Sequence, residues 1–290
     1  MRLVAACRIL LLSLLLSCPA AKAQPPMMAA DINETVVQIP LLAGGKASGN
    51  HIVATLFKPN GDGPFPFVIL SHGRATTAVE RARTERWRYT EQSRWLVRRG
   101  LVVIVPTRRG YGATGGADVE ASYACSNPWY KESLAAALDS ALSTIYYAKA
   151  LPFVDSKRFI AIGQSYGGFL SVGIAAANVE GLLAGINFAG GHGGDPATHP
   201  GVPCAPEKLA AVFADAGRTA RVPMLWIYTE NDLFFNAEVS RALHSAFTGA
   251  GGNAQYRLLP PFGNDGHLLF AQGGRIWQPV VDEFLKGLGL

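Results

Sequence analysis

Three residues of this sequence have the types and the order that acyl transfer needs: Ser165, Asp232 and His267. A serine hydroxyl is a weak nucleophile until a base takes its proton, and that base must itself be held by an acid. Ser165 is the centre of Gly163-Gln164-Ser165-Tyr166-Gly167-Gly168, with an apolar run over residues 158–163 before it and a helix-like stretch over 169–177 after it. Strand, tight turn and helix are the context in which G-x-S-x-G reads as a nucleophile elbow. The turn is so sharp that a side chain at Gly163 or Gly167 is expected to collide with its neighbours. At the start of the helix, the Tyr166 N–H sits where partial positive charge favours an oxyanion.

The partners of Ser165 have to lie at the same strand ends. Asp232 follows the apolar run 222–228, and His267 lies in the loop after the extended stretch 254–259. Glu230 and Asp265 are rival acids, but Glu230 is still close to its strand and Asp265 is too near His267 in sequence to span the usual geometry. A second oxyanion donor is expected from the loop over residues 71–74, with the backbone N–H of Arg74 as the natural choice. His192 stands in the glycine-rich stretch 189–195 beside the same edge. Solvent exposure is its first expectation and substrate contact its second. His51, His199 and His244 have no comparable placement.

The rest of the chain must build the frame. Residues 34–40 and 51–57 alternate apolar and polar side chains around Gly44-Gly45 and Gly49-Asn50, which predicts an antiparallel opening hairpin. Buried strands are predicted over 65–70, 101–105, 158–163, 182–188 and 222–228, and a more extended one over 254–259. Helices are predicted over 91–99, 130–150, 169–177, 237–248 and 275–288; in the second, Leu134, Ala137, Leu138, Ala141, Leu142 and Ile145 recur at three and four residues. Strands alternating with helices after an antiparallel start predict an α/β domain with a mostly parallel eight-stranded sheet and helices on both faces. Residues 106–116 and 189–206 read as loop.

With 290 residues, 49% of them hydrophobic, the chain can bury a large single-domain core. Arg2 and Arg8, the apolar run 9–16 and Ala21-Lys22-Ala23 have the three regions of a secretory signal peptide, so residues 1–23 are expected to be removed and 24–290 to form the domain. A lipoprotein anchored at Cys18 is the lesser alternative. Loss of Arg2, Arg8 and Lys22 takes the formal charge from +5 to +2. The remaining basic residues, dense between Arg74 and Arg109, lack the interleaved aromatics of a nucleic-acid face and are expected to form a solvated helix surface, with a patch attracting anionic substrates or an anionic envelope as the lesser reading. No later run reaches membrane-spanning length, so no stable insertion is expected after signal removal. Cys125 and Cys204 are the two cysteines left in an exported chain, an even pair that favours a disulfide. A zinc site would need more ligands at closer spacing.

Taken together, His72-Gly73, Arg109-Gly110-Tyr111-Gly112, the elbow around Ser165, Asp232 and Gly266-His267 resemble the α/β-hydrolase superfamily over residues 34 to 288. Within it the likeness is to bacterial dienelactone hydrolase-like and prolyl oligopeptidase-like esterases. The resemblance implies a Ser165, His267, Asp232 triad that needs no metal or cofactor, a small-molecule ester substrate and a structural place for His72. It also puts the loops of Cys125 and Cys204 on strands three positions apart, about 14 Å, which they can bridge. Dienelactone hydrolases proper carry cysteine where this chain has Ser165, so ester hydrolysis in general is what the likeness implies. Cleavage of small amides or peptides is the second expectation, and a non-catalytic envelope binding protein on the same scaffold the third.

Overall fold

The computed structural model describes residues 28–75 and 77–290. The signal peptide and Cys18 expected from the sequence lie outside them. Eight strands form one sheet: β1 (Thr35–Ala43), β2 (Lys46–Phe57), β3 (Phe65–Ser71), β4 (Val102–Thr107), β5 (Val154–Gln164), β6 (Leu182–Phe188), β7 (Met224–Thr229) and β8 (Ala254–Leu259). Their spatial order is β1-β2-β4-β3-β5-β6-β7-β8. Because β2 pairs antiparallel with both β1 and β4 while all other pairs are parallel, β2 alone runs against the rest.

Among the described residues the helices are α1 (Ala78–Arg83), α2 (Thr90–Val97), α3 (Tyr130–Lys149), α4 (Tyr166–Ala176), α5 (Pro206–Thr219), α6 (Ala237–Gly249), α7 (Leu269–Gln272) and α8 (Gly274–Lys286). Side chains alternate across a strand, so a continuous apolar run feeds two cores at once. Phe67 and Ile69 of β3 face a cluster with Leu134 of α3, Phe169 of α4, Phe213 of α5 and Phe247 of α6. Val68 and Leu70 face the other, with Trp95 and Leu96 of α2 and Trp277 and Val281 of α8. Both faces are thereby covered, as the strand runs predict.

Three expectations need correction. The opening hairpin turns at Gly44-Gly45 only; Gly49-Asn50 lies inside β2, where the register with β1 shifts between Pro40 and Leu42. Helix α5 was not expected, although Leu209, Phe213 and Ala216 recur at helical spacing and are buried behind Pro206 at the first turn. Pro206 lacks the N–H that a first-turn residue would leave unpaired anyway.

The third correction concerns the arginines, which form ion pairs rather than a solvated helix face. Arg86 and Arg88 converge on the buried Glu34 carboxylate at 2.7 and 2.5 Å. Arg74 and Arg81 meet Asp118 at 2.7 and 3.2 Å, Arg94 meets Asp31 and Glu91, and Arg99 meets Asp282. Arg108 is wholly buried against Glu120. Only Arg83 and Arg98 of the set are exposed.

Burial would raise the Glu34 pKa, but hydrogen bonds from Arg88, the Ala29 N–H and Arg86 outweigh it and hold the carboxyl below its ordinary value. A lowered folded-state pKa gives stability that is present above the unfolded-state value and lost as pH falls through the folded one. Glu34→Gln should therefore cost about 3 kcal/mol in urea unfolding at pH 7 by leaving two guanidinium groups without their carboxylate. The gap between wild type and variant should close on acidification, and a gap that stayed constant to below pH 3 would contradict the pairing.

Candidate active site

The parallel strands all end at one edge, and β3 and β5 lie side by side there with β4 beyond β3. Connections leave this point in opposite directions, which opens the crevice where α/β sheets bind ligands. Ser165 joins β5 to α4 with φ 58° and ψ −125°. For a residue with a side chain this is a costly conformation, of the kind retained where geometry serves chemistry. It is held by the Ser165 N–H donating to the Phe188 carbonyl at 2.9 Å, and by its own carbonyl accepting from Phe169 at 3.1 Å.

No room exists around the turn. A Cβ on Gly163 would lie 1.9 Å from the Gly167 oxygen, and one on Gly167 would lie 2.1 Å from the Ser71 oxygen. The collisions expected from the sequence are those that the packing would produce. Gly73 is pressed in as well, since its Cβ would stand 3.2 Å from the Ser165 Cβ. The loop after β3 therefore rests on the turn, and Arg74 and Tyr166 both line the cavity of about 260 Å³ that contains Ser165. As the first residue of α4, Tyr166 has an N–H without a helical acceptor.

His267 and Asp232 meet at the same edge. The Nδ1–H of His267 faces both Asp232 oxygens, at 3.1 and 3.0 Å, and both side chains are buried. That contact puts the proton on Nδ1 and leaves Nε2 as the basic nitrogen. Asp232 Oδ1 also accepts the N–H groups of Phe234 and Phe235 at 2.8 and 2.9 Å. Gln164, next to Ser165, donates to the His267 carbonyl at 3.2 Å, and Phe234 stacks on the imidazole at 4.1 Å while lining the Ser165 cavity.

Neither rival acid reaches the imidazole ring. Asp265 accepts the N–H groups of Leu233 and His267 through Oδ1 at 3.1 and 2.9 Å, fixing the loop backbone. Glu230 is exposed, its N–H paired with the Leu259 carbonyl. His72 is completely buried: its Nδ1–H donates to the Gly73 carbonyl at 2.7 Å and its Nε2 accepts the Arg108 N–H at 3.1 Å. Burial and the Arg108 charge push its pKa well down, so it stays neutral.

His192 is not solvent-exposed. It is 5% exposed, with Nδ1 accepting the Gly193 N–H at 2.8 Å and Nε2–H donating to the Glu120 carbonyl at 2.9 Å. Burial and the nearby Arg74 charge push its pKa down to about 3, and it lines the Ser165 cavity as a neutral wall residue. Sequence reasoning missed Arg108, Glu120, Phe234 and Phe235. The two phenylalanines directly follow the Asp232 turn and could have been noticed; nothing local marks Glu120.

Cys125 and Cys204 are joined in a disulfide, with Cα atoms 4.9 Å apart. The bridge ties the loop after β4 to the loop after β6, and Cys204 forms part of the cavity wall with Ala121, Ser122 and Tyr123.

Residues 78–273 match the model of the dienelactone hydrolase family. The chain belongs to that family. Among solved structures, an esterase of Pyrococcus furiosus is similar at 15% identity over 93% of this chain and 96% of its own, with a TM-score of 0.61. Acetyl xylan esterase 1 of Thermoanaerobacterium sp. is similar at 13% identity over 89% and 88%, TM-score 0.59. An acylaminoacyl peptidase of Pyrococcus horikoshii is similar at 14% identity over 88% of this chain but 41% of its own, TM-score 0.60. No curated protein sequence matches the chain. At these identities the likeness establishes the α/β-hydrolase fold, and family membership makes this dienelactone hydrolase relative a hydrolase.

The disulfide closes a long loop and should contribute about 2–4 kcal/mol. A Cys125→Ala, Cys204→Ala variant of this family member should melt at a lower temperature and show a raised KM with a smaller change in kcat, because the bridge borders the cavity and not the strand ends. Two alkylated cysteines in the native protein under non-reducing conditions would refute the bridge.

Proposed function

We propose that the protein is an exported serine hydrolase that cleaves carboxylic esters through an acyl-enzyme on Ser165. The observation that carries this reading is the junction at Ser165: a strained serine, φ 58°, at a strand-to-helix turn, with Gly73 against its Cβ. His267 Nε2 takes the hydroxyl proton as Oγ attacks the carbonyl carbon. The tetrahedral oxyanion is held by the N–H groups of Arg74 and Tyr166, and Asp232 supports the imidazolium while it exists. The alcohol leaves with the proton from His267, and water, activated by the same nitrogen, releases the acid. No step calls for a metal or cofactor.

A cavity of about 260 Å³ at Ser165 suits a small ester, and His192 forms part of its wall. Export rests on the signal-like residues 1–23 and on the disulfide, which suits an oxidising compartment. Amide cleavage would use the same groups, and the acylaminoacyl peptidase likeness keeps it as a second reading.

Ser165→Ala should lower kcat by about four to six orders of magnitude and abolish labelling by a fluorophosphonate, with the fold intact. Near wild-type turnover in that variant would end the serine mechanism, and an unlabelled wild-type protein would favour a binding role. Matched ester and anilide substrates separate esterase from amidase.

His267→Ala should be nearly as damaging, and Asp232→Asn less so but still by orders of magnitude, through the wrong imidazole tautomer. If Asp265→Asn or Glu230→Gln lowered kcat more than Asp232→Asn, the acid would have to be reassigned.

A further inference from the structure

Arg108 and Glu120 form an ion pair that the mechanism above does not use, and both side chains are essentially unexposed. Withdrawing two charges from water costs several kcal/mol per ion, and well-packed apolar residues often do as well. What distinguishes this pair is where the remaining guanidinium hydrogens go. Arg108 Nη1 donates to the His72 carbonyl at 2.6 Å and Nη2 to the Gly73 carbonyl at 3.3 Å. The Nε–Nη2 edge of the guanidinium donates to both oxygens of Glu120, which also accepts the Tyr111 hydroxyl at 2.8 Å.

The Gly73 carbonyl belongs to the same peptide unit as the Arg74 N–H. Its two lone pairs are taken by Arg108 Nη2 and by His72 Nδ1–H, the latter at 2.7 Å. His72 can donate there because its Nε2 accepts the Arg108 backbone N–H, and its ring is fixed by stacking on Trp87 at 4.6 Å. A planar peptide turns as one body, so pinning the carbonyl end aims the N–H end. Donors on the carbonyl, one of them cationic, also draw electron density from the amide and strengthen its N–H as a donor, more so in a low dielectric.

We propose that Arg108, held by Glu120, acts with His72 to aim and polarise the Arg74 N–H toward the oxyanion. They are positioning residues, since none needs to touch substrate. The proposal rests on the reading of Ser165 as nucleophile and of the Arg74 N–H as an oxyanion donor. It gives the buried charge a role that an apolar replacement could not fill.

The test compares an ester with the thionoester of the same acyl group and alcohol. Sulfur is a poor acceptor, so a working oxyanion hole favours the oxygen substrate, and the ratio of the two kcat values reports on the hole alone. The double variant Arg108→Met, Glu120→Gln removes both charges with little change of volume. Its kcat on the ester should fall about ten- to a hundredfold, less than the loss of a whole oxyanion donor. KM should stay within about twofold, and the ester-to-thionoester ratio should fall by the same factor as kcat. His72→Phe, which keeps the stacking and loses the donor, should give the same signature. Arg108→Lys serves if the double variant does not fold, with a smaller fall in the ratio. Equal losses on both substrates, or unchanged kinetics in a folded variant, would overturn the proposal. Ser165→Ala is measured alongside. If it keeps its turnover the underlying site reading fails; if it is inactive and the ratio is unmoved in the other variants, only the role of Arg108 fails.

Discussion

Everything at this site depends on how closely three backbones approach at the end of β5. The carbonyl of Gly167 occupies the space where a Gly163 side chain would be, and the end of β3 occupies that of Gly167. Because a Cβ at either position would come within about 2 Å of a carbonyl oxygen, no small adjustment of rotamers could accommodate one. The contact brings α4 down on the sheet so that its N-terminus points at the crevice, and it leaves Ser165 at positive φ. The loop carrying Gly73 and Arg74 rests against this turn, with a Cβ on Gly73 only 3.2 Å from that of Ser165. Position and strain at Ser165 are thus consequences of packing in the sheet below it.

A second constraint is electrostatic. Buried charges in this chain occur where backbone must be held away from regular structure. Glu34 gathers Arg86, Arg88 and the Ala29 N–H at the start of β1, and Glu120 gathers Arg108 and Tyr111 behind the loop after β3. Loops cannot satisfy their own carbonyl and amide groups as strands do. A guanidinium has five donors in one plane and can reach two carbonyls and a carboxylate at once. Arg108 does this for His72, Gly73 and Glu120, which a lysine could not do with the same geometry.

These two constraints differ in how visible they are in the sequence. The elbow is local: a β-run, Gly-x-Ser-x-Gly and an apolar helix lie within twenty residues, so Ser165 and its surroundings could be read directly. The succession of strands along the chain and the positions of Asp232 and His267 after β7 and β8 were legible for the same reason, each following its own apolar run. The arginines were misread because their partners are distant. Glu34 and Arg88 are 54 residues apart, and Arg99 pairs with Asp282 across 183. Local density of charge resembles a solvated face whether or not such partners exist. His192 was misjudged similarly, since a glycine-rich loop suggests exposure while the rings of Tyr130 and Tyr166 close over it, 5.2 and 4.9 Å away. Helix α5 had a readable period, but the long Gly/Pro-rich stretch before it drew the expectation toward loop.

The same division explains why reaction and substrate are not equally legible. Groups suited to proton transfer and oxyanion binding sit at strand ends or against them, where the sheet fixes them to within the tolerance that chemistry demands. Much of the cavity wall comes instead from residues 121–123 and 191–195 and from Cys204, segments with little regular structure, with Phe234 and Phe235 of the Asp232 loop completing it. Their conformation is set by contacts between loops: the Cys125–Cys204 bridge, the Tyr130 hydroxyl on the Cys204 carbonyl, and His192 on the Glu120 carbonyl. Loops of this kind can change shape and length without disturbing the sheet, which lets one framework serve many substrates. Here the bridge joins the two walls to each other instead of joining either to the sheet. These bridged walls can therefore be reshaped together while Ser165, His267 and Asp232 keep their places on the sheet.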